Sequence, residues 1–331
     1  MSAKETKPLH WSEEKEQTRS YLPLKILLIL FKIFPSTLLR AIAYPVSFFY
    51  FIFSVRARTS AVEYQKQFIN FTQGKIFTKP HAFRQILAFS LTLIEKTEGW
   101  AGKVTLKNVE FQNDDIKLLI QQLDEGKGAL LICSHLGNAE LLRSLANYNR
   151  TGVSHPISVS SVIDISTTQN FNRMLKEINP ESMMNIISSN DIGPETIIQL
   201  SQEIDHGGLV VIAGDRTSAN TRNRYLNQKF LGKTAQFAYG VYFLTALLNV
   251  PTYFVFALRK KPTGLFPRYT MYVHKSAVNF TCSRKERENR IEKLCKEFTE
   301  KLEKYCILYP FQWYNFYNFW ALPEKNSKVR K

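Results

Sequence analysis

A chain of 331 residues and 38.4 kDa is long enough to bury one sizeable core, and without a long Gly, Ser or Pro linker it predicts one main domain with appendages. Forty-four Lys and Arg against 28 Asp and Glu give a formal charge of +16, which calls for an anionic partner: nucleic acid, an acidic bilayer surface or an acidic protein. The four cysteines, Cys133, Cys282, Cys295 and Cys306, have neither CxxC nor Cys/His zinc spacing, so the sequence writes no metal site and predicts reduced thiols in a cytoplasmic environment.

Residues 1–20 are charged and lack an apolar stretch followed by a small-residue cleavage site, so a retained charged tail is expected rather than a cleavable signal peptide. Residues 21–55 are almost unbroken apolar sequence, interrupted by Lys25, Lys32 and Arg40 and followed by RAR at 56–58. We read 21–58 as a membrane anchor or a pair of interfacial helices. The charge-free run Ala41–Val55 is 15 residues long, short of the roughly 20 that a perpendicular span needs. Lys25 and Lys32 recur at helical spacing, as in a helix lying in the interface with its lysines reaching toward phosphates. Pro35 and Pro45 predict two short helices. A helical hairpin within a soluble protein is the alternative.

From Lys103 onward short β-branched runs alternate with amphipathic segments, the signature of an α/β domain. Strands are expected at GALLIC (128–133), ISVSSV (157–162), MNIIS (184–188), GLVVIA (208–213), PTYFVFA (251–257) and RYTMYVH (268–274). Helices are expected over 113–126, capped by Asn113 or Asp114, from about Asn138, over 194–207 with Gly207 as its stop, and over 284–305. The last presents Ile291, Leu294, Cys295, Phe298, Leu302 and Tyr305 at helical spacing, an ordinary core-facing stripe without chemistry.

The chemistry concentrates in CSHLGNAE (133–140), directly after an apolar strand. With Asn138 as the cap of the next helix, His135 falls in the strand-to-helix turn and Glu140 in the first helical turn, at the carboxyl edge where α/β sheets bind ligands. A carboxylate accepting from one imidazole nitrogen fixes the tautomer and frees the other nitrogen as a general base. A structural histidine satisfied by its neighbours is the bland alternative. No GxSxG elbow is present, and Cys133 reads as core, so the pattern favours direct proton abstraction from an acceptor hydroxyl over an acyl-enzyme.

The stretch HLGNAE (135–140) resembles the HX4(D/E) motif of glycerolipid acyltransferases, particularly the branch that contains the late acyltransferases of lipid A biosynthesis. GLVVIAGDRT (208–217) resembles the position where that branch carries an acidic residue with a basic partner, and residues 228–260 resemble its block of phenylalanine-x-glycine, small helix and strand-opening proline. PFQWYNFYNFW (310–320) is similar to the ending of a bacterial subgroup of predicted acyltransferases, some associated with aryl-polyene-type lipid pathways. The chain departs from the family where a proline often falls within the stretch occupied by Thr234–Gly240.

The resemblance implies a mixed sheet flanked by helices over 59–320, a membrane-associated N-terminal segment and a basic tail at 321–331. It implies transfer of a fatty acyl group from acyl carrier protein or coenzyme A to a hydroxyl of a membrane lipid or glycolipid, at the cytoplasmic face of a bacterial inner membrane, without cofactor or metal. His135 would be the base and Glu140 its orienter; Asp215, Arg216, Gly232, Lys233 and Asn138 would bind substrate, Arg216 suiting a phosphate. The plain alternative for Asp215 and Arg216 is a surface ion pair with no catalytic role. An acyl carrier protein and an anionic membrane account for the charge, and no nucleic-acid motif accompanies the aromatic tail. Two rivals stand beside this reading: a non-catalytic lipid-binding or scaffold protein, and a hydrolase using Cys133.

Overall fold

The computed structural model describes residues 21–113, 115–165, 169–183, 185–216 and 224–320. The two charged tails, 1–20 and 321–331, lie outside the described residues, as do Asp114, Met184 and Arg222. Four helices come first: α1 (Leu22–Ile33), α2 (Ser36–Phe53), α3 (Val55–Thr72) and α4 (Ala82–Trp100). An α/β unit follows: β1 (Val109–Phe111), α5 (Asp115–Asp124), β2 (Ala129–Cys133), α6 (Leu141–Asn147), β3 (Val159–Ile163), α7 (Gln169–Ile178), β4 (Ile186–Ser188), α8 (Pro194–Asp205) and β5 (Leu209–Ala213). After the hairpin β6 (Tyr225–Phe230) and β7 (Lys233–Ala238) come α9 (Tyr239–Leu248), β8 (Thr252–Arg259), β9 (Tyr269–Lys275) and α10 (Arg284–Leu308).

Seven strands form one sheet in the order β1-β9-β8-β2-β5-β3-β4, parallel at every pair except the antiparallel β8 and β9. Both faces are covered, as a mostly parallel sheet requires. Leu130 and Ile132 of β2 point to the face that packs α8, α9 and α10, while Ala129 and Leu131 point to the face that packs α5 and α6. This period of two explains why GALLIC is apolar throughout rather than alternating. All six expected strands are present within a residue or two of their predicted ends.

The corrections are local. Asn113 does not serve as a helix cap: its side-chain oxygen accepts from the Val273 backbone and ties the segment to β9. Pro45 does not break α2, which continues through it because α4 pins it on both sides, Arg40 pairing with Glu98 and the Phe48 and Phe51 rings meeting Phe83 at 6.2 and 5.9 Å. Residues 225–238 form a two-stranded hairpin that sequence patterning did not announce. Its turn places Leu231 at φ 48° and Gly232 at φ 79°, both left-handed, and leucine is an unusual residue there. Leu231 tolerates it because its carbonyl accepts from Gln67 at 2.6 Å, its N–H donates to Glu303 at 2.6 Å and its side chain is fully buried.

Helix α2 is 18 residues and apolar enough to cross a membrane by length and composition; at 1.5 Å per residue it is roughly 27 Å long. It nevertheless docks against the domain through a charged contact. Buried Arg40 joins Glu98, donates to the Leu265 carbonyl at 2.8 Å and lies 4.0 Å from Glu95, which pairs with Arg259 at 2.9 Å. The other sides of α1 and α2 expose Leu22, Ile26, Ile29, Ile33, Val46, Phe48, Phe49, Ile52 and Phe53.

Phe298 of α10 marks the centre of the larger core, with Phe254, Phe256 and Tyr242 rings 5.7 to 6.2 Å away. Truncation there leaves a cavity that close-packed sheet and helix cannot collapse into. Phe298→Ala is expected to lower the unfolding free energy by about 3–5 kcal/mol, read from urea denaturation; a loss below 1 kcal/mol would contradict this packing.

Candidate active site

Strands β2 and β5 are neighbours in register, with Cys133 opposite Ala213 as the last pair. The chain leaves β2 toward α6 on one face and leaves β5 toward the hairpin and α9 on the other. The carboxyl ends of these two strands are therefore the topological switch point of the sheet, where α/β folds bind ligands. His135 and Asp215 each stand two residues beyond that last pair, and the equal offset brings them together.

Asp215 is fully buried and accepts three hydrogen bonds: from His135 Nδ1 at 2.8 Å, from the His135 backbone N–H at 2.9 Å and from Trp313 Nε1 at 3.0 Å. Burial alone would raise the Asp215 carboxyl, but His135, Arg216 and the Trp313 indole hold it below the ordinary carboxylate value. Burial and the neighbouring Arg216 lower the His135 imidazole below its ordinary value, against the opposing pull of Asp215. At neutral pH the pair is a carboxylate and a neutral imidazole. Nδ1–H donates to Asp215, so the Nε2 lone pair is left over, on a side chain that is 33% exposed.

Glu140 does not orient the imidazole. It is the N-cap residue of α6, and its Oε2 accepts from the Trp100 indole and from Arg143 Nη1, each at 3.3 Å. The expected histidine–glutamate pair gives way because the turn after His135 carries Glu140 toward α4, while the adjacent strand end delivers Asp215. Asn138 is not the cap of α6 either. It is 2% exposed, with its amide donating to Tyr269 Oη at 3.4 Å and its backbone N–H to Ala257 O at 2.9 Å, so it offers no surface to a substrate.

Arg216 and Asp215 do not form a surface pair. Arg216 donates from Nε to Asn315 at 2.9 Å and from Nη2 to the Tyr314 carbonyl at 3.0 Å, leaving Nη1 unengaged among the described residues. Gly232 and Lys233 lie in the hairpin turn, away from this constellation. Lys233 lines an open cleft of about 620 Å³ with Glu63, Lys66, Asn70 and Trp320, and His135 is not among its lining residues. Arg224 is exposed and lies over Tyr239, 3.9 Å from its ring centroid.

Residues 313–315 were not expected in the site. Leu136 bridges to Trp313, the Gly137 N–H donates to Gln312 O at 2.9 Å and the Tyr314 N–H to His135 O at 3.0 Å, so the aromatic tail runs alongside the histidine loop. The signal was the density of donors and acceptors in QWYN, which an apolar reading of the segment passes over. Cys133 is buried at the end of β2; burial, reinforced by the charges of Asp215 and Glu140, pushes its thiol up to about 12. It is a protonated thiol at neutral pH and a poor nucleophile. The described residues contain no cluster of His, Cys, Asp or Glu able to hold a metal ion.

The chain matches no protein-family model and no curated protein sequence.

Gly137 fixes the loop. Its φ is +81°, and a Cβ there would lie 2.2 Å from the Ala257 carbonyl oxygen. Gly137→Ala is expected to displace the loop, lowering the melting temperature and abolishing the downfield Nδ1 proton resonance of His135. An unchanged resonance by proton NMR would show that the loop does not depend on this glycine.

Proposed function

We propose that the chain is an O-acyltransferase that moves a fatty acyl group from an acyl thioester, on acyl carrier protein or coenzyme A, to a hydroxyl of a membrane lipid or glycolipid. The observation that carries the reading is a buried carboxylate holding a neutral, half-open imidazole at the switch point of the sheet. Such a pair is a general base rather than a structural histidine, because Nε2 keeps its lone pair and its access. The motif resemblance in HLGNAE supplies the substrate class.

In this mechanism the acceptor hydroxyl lies against His135 Nε2. Its oxygen bonds to the thioester carbonyl carbon as its proton passes to Nε2, and the carbonyl π pair moves to oxygen. The imidazolium is stabilised by Asp215. The oxyanion then reforms the carbonyl, the carbon–sulfur bond breaks and the departing thiolate takes the proton from Nε2. Ester and thiol leave, and the base is neutral again without metal, cofactor or covalent enzyme intermediate.

The acceptor is assigned to a bilayer on the strength of α1 and α2. A helix whose Arg40 is tied into the domain beside Glu98 presents its opposite side to the surroundings, and that side carries Phe49 and Phe53. Lys25, Lys32 and Arg56 are exposed on the same two helices or at their end, placed to meet lipid phosphates. We therefore read the anchor as interfacial rather than spanning, at the cytoplasmic face of a bacterial inner membrane, where a thioester donor from solution meets a hydroxyl from the lipid. Cys133 as a nucleophile has no support from its protonated, buried thiol.

Two measurements test this reading. With labelled acyl carrier protein or coenzyme A thioesters and extracted membrane lipids, the wild type should form a labelled lipid. His135→Ala should lower the rate by about 10²- to 10⁴-fold, Asp215→Asn should follow it and Glu140→Gln should cost least, since only Asp215 touches the imidazole. Activity should fall on the acid side through a pKa below the ordinary histidine value, as Nε2 is protonated there. Equal product from folded wild type and His135→Ala would remove His135 as the base, and no labelled lipid from either donor would favour the lipid-binding alternative. Separately, the wild type should sediment with vesicles containing phosphatidylglycerol, and the doubly substituted Phe49→Asp, Phe53→Asp chain should stay in the supernatant with an unchanged melting temperature. A double variant that still sediments would mean that this face does not meet lipid.

A further inference from the structure

Among the described residues outside α1 and α2, the most exposed large apolar side chain is Phe266, with 75% of its surface open. It stands in KKPTGLFPR (260–268), the turn between β8 and β9, which carries three basic residues and no acidic one. Single exposed apolar residues are common on protein surfaces and need no account. Phe266 is set apart by how the turn beneath it is held and by what lies beside it.

The turn is pinned from two sides. From β8, the buried Arg259 donates to the Lys261 carbonyl at 2.8 Å and to the Gly264 carbonyl. From α2, Arg40 donates to the Leu265 carbonyl at 2.8 Å and the Tyr44 hydroxyl donates to the Thr263 carbonyl. The carbonyls of 261, 263, 264 and 265 are thus bound inward, and the next side chain, Phe266, is left open between the exposed Lys261 and Arg268, while Lys260 is engaged with Glu110.

Arg40 and Tyr44 are one helical turn apart and mark the flank of α2 against which this loop lies. The loop therefore borders the helix whose free side carries Phe49 and Phe53. It also leaves the sheet at a definite edge. Strand β8 is parallel to β2, runs on past the end of β2 and meets the His135 loop where the Asn138 N–H donates to Ala257 O at 2.9 Å, so its carboxyl end lies at the edge that holds His135 and Asp215.

We propose that the β8–β9 turn is a second membrane contact, in which Phe266 enters the acyl-chain boundary of an anionic leaflet while Lys261 and Arg268 meet its phosphates. This rests on the reading of α1 and α2 as lipid-facing and is independent of the reaction. A helix lying in the interface is free to roll about its own axis, and a contact pinned to its flank removes that freedom. The two contacts together turn the carboxyl edge of the sheet, and with it the His135 loop, toward the leaflet.

The test uses the full chain with vesicles of phosphatidylglycerol or of phosphatidylcholine. Phe266→Asp should lower the partition coefficient onto phosphatidylglycerol by about 10- to 100-fold, with an unchanged melting temperature. The doubly substituted Lys261→Gln, Arg268→Gln chain should lose roughly 5-fold per charge on phosphatidylglycerol and nothing on phosphatidylcholine. Cys282 is the only part-exposed thiol, so in a Cys282→Ser background a fluorophore on Phe266→Cys reports on this site alone. Its emission should shift to the blue on vesicle binding and be quenched by brominated acyl chains. If the wild type sediments and Phe266→Asp sediments equally, or the label at 266 neither shifts nor is quenched, the turn is no contact and the α2 face stands without it. A charge variant that binds phosphatidylglycerol like the wild type would overturn the choice of an anionic leaflet. A wild type that stays in the supernatant overturns the lipid-facing reading of α1 and α2 and takes this proposal with it.

Discussion

A carboxylate with no exposed surface must be paid for with hydrogen bonds, and Asp215 organises the molecule around that requirement. Its three donors come from the loop after β2 and from the aromatic tail, while Asp215 itself ends β5. Three segments distant in sequence converge on one buried charge. The same contacts fix the imidazole tautomer, so the constraint that holds the loop together is the one that leaves Nε2 with its lone pair. Removing any donor leaves a charge short of partners in a low-dielectric site, a larger penalty than the single bond lost.

The helical layer is held by a parallel arrangement. Glu95 and Glu98 enter the interior on α4 and are met by Arg40 from α2 and Arg259 from β8. Burial pushes the Glu95 carboxyl up to about 7, against the opposing effect of Arg259 and Tyr269. The Arg259 backbone N–H donates to Gln312 Oε1 at 2.8 Å, and Gln312 returns a bond from its amide to the Arg259 carbonyl at 2.6 Å. These residues adjoin Trp313, so the apolar N-terminal helices and the Asp215 network share the tail as a common wall.

The alternation of apolar runs and amphipathic segments made the sheet legible, because strands buried on both faces and helices buried on one leave different periods in the sequence. The position of His135 was legible for a related reason: it follows an apolar strand end, and so does Asp215. Its partner was not. Glu140 is close in sequence and was the natural choice, whereas Asp215 becomes a neighbour only once β2 and β5 pair in register. Strand order is a non-local property that local patterning does not contain. The hairpin was hidden by Leu231, which occupies a turn position that the sequence would signal with glycine or asparagine. Trp313 was hidden because the aromatic residues around it read as core, and its hydrogen bond to Asp215 is visible only in the fold.

The apolar N-terminal helices and the His135 loop are joined through packed contacts. Leu24 and Leu28 of α1 pack in one buried cluster with Trp100 at the end of α4 and Met174 of α7. Trp100 donates to Glu140, the residue that opens α6. The helices that carry the exposed apolar side chains therefore pack directly on α4 and α7. On the acyl-transfer reading this continuity has a purpose. A hydroxyl that never leaves its lipid has to be met by a base held at fixed height above the leaflet, and a flexible tether would spend entropy on each encounter. Docking α2 through Arg40 and Glu98 instead makes the membrane-facing side and the crevice parts of one rigid body, so that binding the surface already orients Nε2 toward the acceptor.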